Sequence, residues 1–274
     1  MGSDSSRTTA TPSVPIGVDS TQASAARVYD YYLGGFHNFA ADREMARQAI
    51  EMWPDLPMIM QANRAFLRRA VTHLVELGVR QFLDIGSGLP TVGSVHDTAQ
   101  SLDPASRVVY VDLDPVAVAH ARSLLADNPR AGVVLGDLRH PQAILSDPAV
   151  TSLLDPGEPT ALLMVAVLHF VGDGDDPAAA VRTFRDALGR GSYLVVCHAS
   201  DGMQPPAITA GHRELYRRTA TPMTMRNRDQ VTAFFEGYQV LDPGVVLLEQ
   251  WAPGRPREVR DPQRVPAWVG VGRA

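Results

Sequence analysis

The sequence predicts an α/β fold, a mostly parallel sheet wound with helices on both faces and preceded by a cap of helices. Three observations predict it. After Gly78, short apolar runs alternate with helical patterns, the texture of a parallel sheet whose crossovers are helices. Before Gly78 the apolar residues recur at helical spacing with no strand among them. The 274 residues suffice for one such domain with an elaborated terminus and a sizeable core.

Residues 1–22, rich in Ser, Thr and Pro, have no basic segment followed by an apolar one, so a disordered tail is expected there and not a secretory signal. The cap is expected over residues 23–78. Ala25, Val28, Tyr29 and Tyr32 fall at i, i+3, i+4 and i+7 behind Ser24 as N-cap, and Gly34-Gly35 stops the run. A second helix over 42–52 ends at Trp53-Pro54, because proline disfavours the α conformation in the residue before it. Ile59, Ala62, Phe66, Ala70, Leu74 and Leu77 form the apolar stripe of a third, with Gly78 as its C-cap.

The main domain is expected over residues 79–274. Strands are expected at 81–85, 108–111, 133–135, 161–167 and 193–196, with helices at 93–102, 115–126 and 177–188 between them. Pro115 and Pro177 each follow an Asp, an N-cap with proline at the first helical position. Helices at 209–218 and 227–235, a strand from about Tyr238 and a last strand at 267–271 complete the set.

Composition removes several functions. All 25 cationic side chains are arginine, which excludes Schiff-base chemistry, the P-loop lysine and the kinase lysine. Cys197 is the one cysteine, so neither an internal disulfide nor a multi-cysteine metal site can form. A net charge of -5 disfavours nucleic acid as a partner. The longest apolar run, Ala161 to Leu168, is far short of the ~20 residues a membrane span needs. These features predict a cytoplasmic protein, and the all-arginine usage is an association with GC-rich bacterial codons.

The chemistry-bearing constellation is Asp84-Ile85-Gly86-Ser87-Gly88, where the first strand should end and two glycines allow a ligand close approach. Asp112 closes the second strand, where a carboxylate can accept both hydroxyl hydrogens of a ribose. Asp137 follows the third. In an open α/β sheet ligands bind outside the carboxyl ends of the strands, so the three acids are expected to line one crevice.

A dinucleotide needs a small third residue in its Gly-x-Gly-x-x-Gly/Ala turn, yet Pro90-Thr91 follows Gly88-Leu89. Its pyrophosphate would also be repelled by Asp84 and Asp137. A cationic nucleoside without phosphate suits such a crevice, and S-adenosylmethionine is one.

Asp84-Ile85-Gly86-Ser87-Gly88, Asp112 and Gly136-Asp137-Leu138 resemble the first three motifs of class I S-adenosylmethionine-dependent methyltransferases. Longer blocks, among them Arg27-Val28-Tyr29-Asp30-Tyr31-Tyr32-Leu33-Gly34-Gly35, Gln61-Ala62-Asn63-Arg64-Ala65-Phe66-Leu67 and Val165-Ala166-Val167-Leu168-His169-Phe170, are similar to a bacterial subfamily of predicted methyltransferases long classed as of unknown function. The resemblance runs from about residue 22 to the end and departs from the class at Pro90, where a third glycine is common. It implies a Rossmann-like, seven-stranded sheet with an antiparallel last strand, and S-adenosylmethionine as cofactor. It also implies Asp112 on the ribose, Asp137 and the Leu138 backbone at the adenine, and Gly86 and Gly88 beneath the cofactor. It supplies no substrate.

Asp84 is expected to order the glycine turn through backbone hydrogen bonds, and Asp114, before Pro115, to be an N-cap. The cap helices should cover the methyl group. Tyr29 and Tyr32 either offer their faces to the sulfonium or simply pack their helix. Arg64 can pair with the methionyl carboxylate, or belong to a solvated face with Arg68 and Arg69. His169, after the fourth strand, is a candidate general base, with positioning the cofactor or capping the strand as the plainer role. His37, Asn38, Asn63, His198 and Asp201 are looser candidates, and Cys197 reads as a small buried hydrophobe. The expected activity is methyl transfer to oxygen or nitrogen of a small molecule. The alternatives are a nicotinamide-dependent oxidoreductase and an S-adenosylmethionine-binding regulator without turnover.

Overall fold

The computed structural model describes residues 19–90, 93–200, 203–219, 221–253 and 264–274. Three helices come first: α1 (Ala25–Tyr32), α2 (Ala40–Met52) and α3 (Leu56–Glu76). The sheet follows, with β1 (Gln81–Ile85), β2 (Arg107–Asp112), β3 (Ala131–Leu135), β4 (Thr160–Val165), β5 (Tyr193–Ala199), β6 (Gln239–Val240), β7 (Val246–Leu247) and β8 (Ala267–Arg273). Its connections carry α4 (Val95–Leu102), α5 (Pro115–Leu124), α6 (Pro141–Leu145), α7 (Pro148–Leu153), α8 (Pro177–Leu188), α9 (Pro206–Arg217) and α10 (Arg228–Thr232).

Strand order is β3-β2-β1-β4-β5-β8-β6, with β7 also on β8. Strands β1 to β5 run parallel, and β8 is antiparallel to β5. The architecture is the expected one with a strand more. Both β6 and β7 pair with β8, but the register slips between them, because Pro243 has no N–H to offer the ladder and the outer strand breaks in two around it. The order turns back between β1 and β4, where a crevice opens at the carboxyl ends.

Side chains alternate across the sheet with period two. Phe82, Val108, Tyr110, Leu163 and Val195 pack under α3 and its neighbours, whereas Leu83, Val109, Val111, Leu162 and Val196 pack against Ile144 of α6 and Phe184 of α8. Asp84 and Asp112 therefore emerge on the α3 side, the side of the cap.

Several expectations are corrected. Helix α2 begins at Ala40 because Asp42, inside its first turn, reaches back to accept the Phe39 N–H at 2.7 Å. Ser24 is the N-cap of α1 but makes no side-chain cap bond. Leu77 lies past the end of α3 and is exposed, outside the stripe assigned to it. Strand β4 stops at Val165 because Ala166 turns into the left-handed region, φ 62. Helices α6 and α7 are too short for their apolar period to show in sequence. Of the tail expected over residues 1–22, only 19–22 lie within the described residues. Asp19 and Gln22 there line the cavity described below. No helix among the described residues is long and apolar enough to cross a membrane.

Candidate functional site

The turn after β1 uses its glycines for different reasons. Gly86 has φ 68, and a Cβ there would meet Val167 Cγ2 at 2.3 Å. Gly88 has φ 62, and a Cβ there would find nothing within 4 Å, so its backbone faces open space. The turn is held from β2: Val111 O accepts the Gly86 and Ser87 N–H groups at 2.8 and 3.1 Å, and Asp112 Oδ2 accepts the Gly88 N–H at 2.7 Å. Asp112 Oδ1 accepts the Asp114 N–H at 2.8 Å. Asp114 caps α5 as expected, accepting the Val116 N–H at 2.8 Å.

The three strand-end acids differ sharply. Burial pushes Asp84 up to about 7, against the pull of Arg64 and with the help of Asp112. Burial likewise raises Asp112 to about 6, opposed by its backbone hydrogen bonds. Asp137 goes the other way. Burial acts to raise it, but hydrogen bonds from Arg139 hold it below the usual carboxylate range. Two expectations change. Asp84 accepts no hydrogen bond among the described residues, so the acid that braces the glycine turn is Asp112. The crevice is not uniformly negative either, because Arg27, Arg64 and Arg139 share its walls.

Helices α1 and α3 roof the strand ends. Tyr29 donates its hydroxyl to Met60 O at 3.3 Å and accepts Asn63 Nδ2 at 2.8 Å, which ties α1 to α3. The Arg64 guanidinium lies 5.4 Å from the Tyr29 ring centroid and donates to Leu89 O at 3.3 Å, while its buried Nε has no hydrogen-bond partner among the described residues. The cap is locked to the sheet by Arg27, whose Nε meets Asp42 Oδ2 and whose Nη1 meets Asp114 Oδ2, both at 2.8 Å and all three side chains buried.

At the ends of β4 and β5, Ala166 redirects the chain so that His169 turns back toward the sheet. Its Nδ1 accepts the Ala199 N–H at 3.3 Å, and its carbonyl accepts the Thr224 N–H at 2.7 Å. Burial pushes the imidazole well below its ordinary value, with His198 and Arg226 adding to the effect. His169 is therefore neutral, with its proton on Nε2 and its Nδ1 lone pair already engaged. That arrangement does not suit the base role expected of it.

One cavity of about 580 Å³ collects these groups: Asp84, Gly86, Gly88, Asp112, Asp137, Leu138, Tyr29, Tyr32, Arg64 and His169 all line it. Asn63 and Cys197 line it too. Of the other looser candidates, three make contacts of their own. Asn38 Nδ2 bonds Asp30 at 2.8 Å, His37 lies against His120 at 3.8 Å between centroids, and His198 Nε2 takes Arg226 Nη1 at 3.0 Å. Asp201 lies outside the described residues. Missed in the sequence were Arg27, His212 and Tyr216, which line the cavity, and Arg226, which bonds His198. His212 and Tyr216 carry a visible signal, since they continue the i, i+4 spacing of Ile208 along one helix face.

A parallel sheet with a glycine turn after its first strand and an acid closing the second defines the Rossmann-like class, whose ligands sit in the crevice at the strand ends. A family model described as S-adenosyl methyltransferase matches residues 12–274. The chain belongs to that family and is an S-adenosylmethionine-dependent methyltransferase. It is 38% identical to a candidate methyltransferase from Thermobifida fusca YX, with 94% of this chain and 97% of that one covered and a TM-score of 0.87. It is 37% identical to a DUF574 family protein from Streptomyces avermitilis MA-4680, with 93% and 98% covered and a TM-score of 0.87. No curated protein matches it. Family membership sets aside the nicotinamide and regulator alternatives.

Proposed function

We propose that the enzyme methylates an oxygen or nitrogen of a small molecule enclosed beneath the amino-terminal helices. The observation that carries this reading is that a single cavity joins the strand-end acids to Trp53, Tyr216 and Met223 under the cap. Its volume of about 580 Å³ lies in the range of small-molecule sites.

The residues fit the cofactor. Among the described residues the buried Arg64 Nε has no partner and the buried Asp84 carboxylate accepts no hydrogen bond, so the two answer a carboxylate and an ammonium on one ligand. Each carboxylate oxygen of Asp112 has one lone pair taken by the backbone and another free for a ribose hydroxyl. The open face of Gly88 leaves room for the ligand, and the Leu138 backbone with Asp137 stands at the adenine side. When bound, S-adenosylmethionine supplies an electrophilic methyl carbon, with the sulfur as leaving group.

The chain's own task is then to hold the acceptor atom ~3 to 3.5 Å from that carbon and in line. His169 contributes its Nε2–H as a positioning donor. Tyr29 anchors α1 while Arg64 occupies one face of its ring. Residues 23–78 act as the lid and 79–274 as the catalytic domain.

The test is incubation with methyl-labelled S-adenosylmethionine and a fractionated bacterial extract. Label in a small-molecule fraction is expected. Label confined to protein or nucleic acid overturns the reading.

A further inference from the structure

The cavity lining includes an imidazole with no hydrogen-bond partner among the described residues. His212, on α9, is 4% exposed, and neither Nδ1 nor Nε2 has a hydrogen-bond partner among the described residues. Most buried polar atoms in native proteins have a hydrogen-bond partner, and one left without is destabilising. Burial lowers the ring to about 4, so it is neutral and offers one donor and one acceptor.

Its place is built. Gly211, the preceding residue, lets α9 lie directly on α2: a Cβ there would meet Met52 Sδ at 2.3 Å. The surrounding rings are set around it, with Trp53 edge-on at 5.6 Å and Tyr216 at 5.0 Å, and Phe170 a further 5.6 Å from Tyr216. His212, Trp53, Tyr216 and Phe170 all line the cavity, and none of them carries a charge there.

Flat aromatic walls favour a flat ring, because offset and edge-to-face contacts add to the area buried. Among polar groups that could meet the imidazole, a carboxylate only accepts and an ammonium only donates, and either would be a buried charge with no counter-charge beside His212 among the described residues. A hydroxyl stays neutral and serves either nitrogen. From these contacts we infer that the acceptor is an uncharged hydroxylated aromatic compound whose hydroxyl is held by His212 between Trp53 and Tyr216. The inference rests on the small-molecule reading above and concerns recognition; with so low an affinity for protons, His212 is a binding residue and not the base.

The experiment uses the full chain saturated with S-adenosylhomocysteine and equilibrium dialysis against 2-naphthol and naphthalene as probes. The wild type is expected to bind 2-naphthol at least tenfold more tightly than naphthalene. In His212→Phe the two affinities should become equal, and His212→Gln, which keeps a donor and an acceptor, should restore part of the preference. Independently, the His212 imidazole resonances of the wild type should shift with 2-naphthol and not with naphthalene, which needs no folded variant. Absence of 2-naphthol binding at 1 mM, no preference in the wild type, a preference retained in His212→Phe, or unmoved resonances would each overturn the inference. Affinity for S-adenosylhomocysteine, measured alongside, reports separately on the cofactor site.

Discussion

The carboxylate that ends β2 holds the turn that ends β1: Asp112 Oδ2 accepts the Gly88 N–H at 2.7 Å, and its other oxygen takes the N–H of Asp114 at 2.8 Å. One acid thus shapes the glycine turn, starts the next helix and still faces the cavity. Its burial disfavours the charged form and raises the carboxyl to about 6.

Replacing Asp112 by Ala should weaken S-adenosylhomocysteine binding by at least about 100-fold, because two charge-assisted bonds at ~1.5 to 3 kcal/mol each are lost. Calorimetry on the folded variant checks this. Unchanged affinity would remove Asp112 from the ribose.

Asp84 sets a pH dependence. Its carboxyl rises from an ordinary 3.8 to about 7 through burial, so the folded chain holds the proton more tightly than the unfolded one. The stability this contributes is complete below about 3.8 and is lost as pH rises through about 7. Asn at this position does not titrate. The stability advantage of Asp84→Asn over the wild type, both ligand-free, should therefore grow by about 2 to 3 kcal/mol between pH 5 and pH 8. Urea unfolding at the two pH values measures it. Cofactor binding to the wild type should tighten over the same interval and in the variant should not.

Arg27 stands between two buried acids, Asp42 and Asp114. Its removal leaves both charges unpaired, and Arg27→Ala should destabilise the protein by about 3 to 5 kcal/mol in urea unfolding. A loss below 1 kcal/mol would show that the cap does not depend on this junction.

With Nδ1 of His169 engaged by the Ala199 N–H, a base contribution of ~10² to 10⁴ is not expected from this ring. His169→Gln should slow single-turnover transfer by roughly tenfold, the worth of about one hydrogen bond, and change S-adenosylhomocysteine affinity by less. A flat rate between pH 6 and 8 for the bound enzyme is expected, and a limb near 6.5 that vanishes in the variant would restore the base role.

The amino-acid sequence by itself determined the longer elements and their order, but not the short α6, α7 and β7. Strand β1 and helix α8 occur with the expected bounds, Gly78 turns left-handed just past Leu77, the C-cap of α3, and Asp114 and Asp176 cap α5 and α8. The glycine turn and the acids closing successive strands are also local, since period and turn chemistry depend on near neighbours. What the two buried acids do was decided by the tertiary structure. Asp137 pairs locally with Arg139 two residues on, but the Asp84 side chain accepts no hydrogen bond among the described residues and meets Arg64 from another helix. Arg27 reaches Asp114 across 87 residues, and His212, where α9 lies on α2, has no hydrogen-bond partner among the described residues. Burial and charge pairing are properties of which surfaces meet, and no stretch of neighbouring residues contains that information.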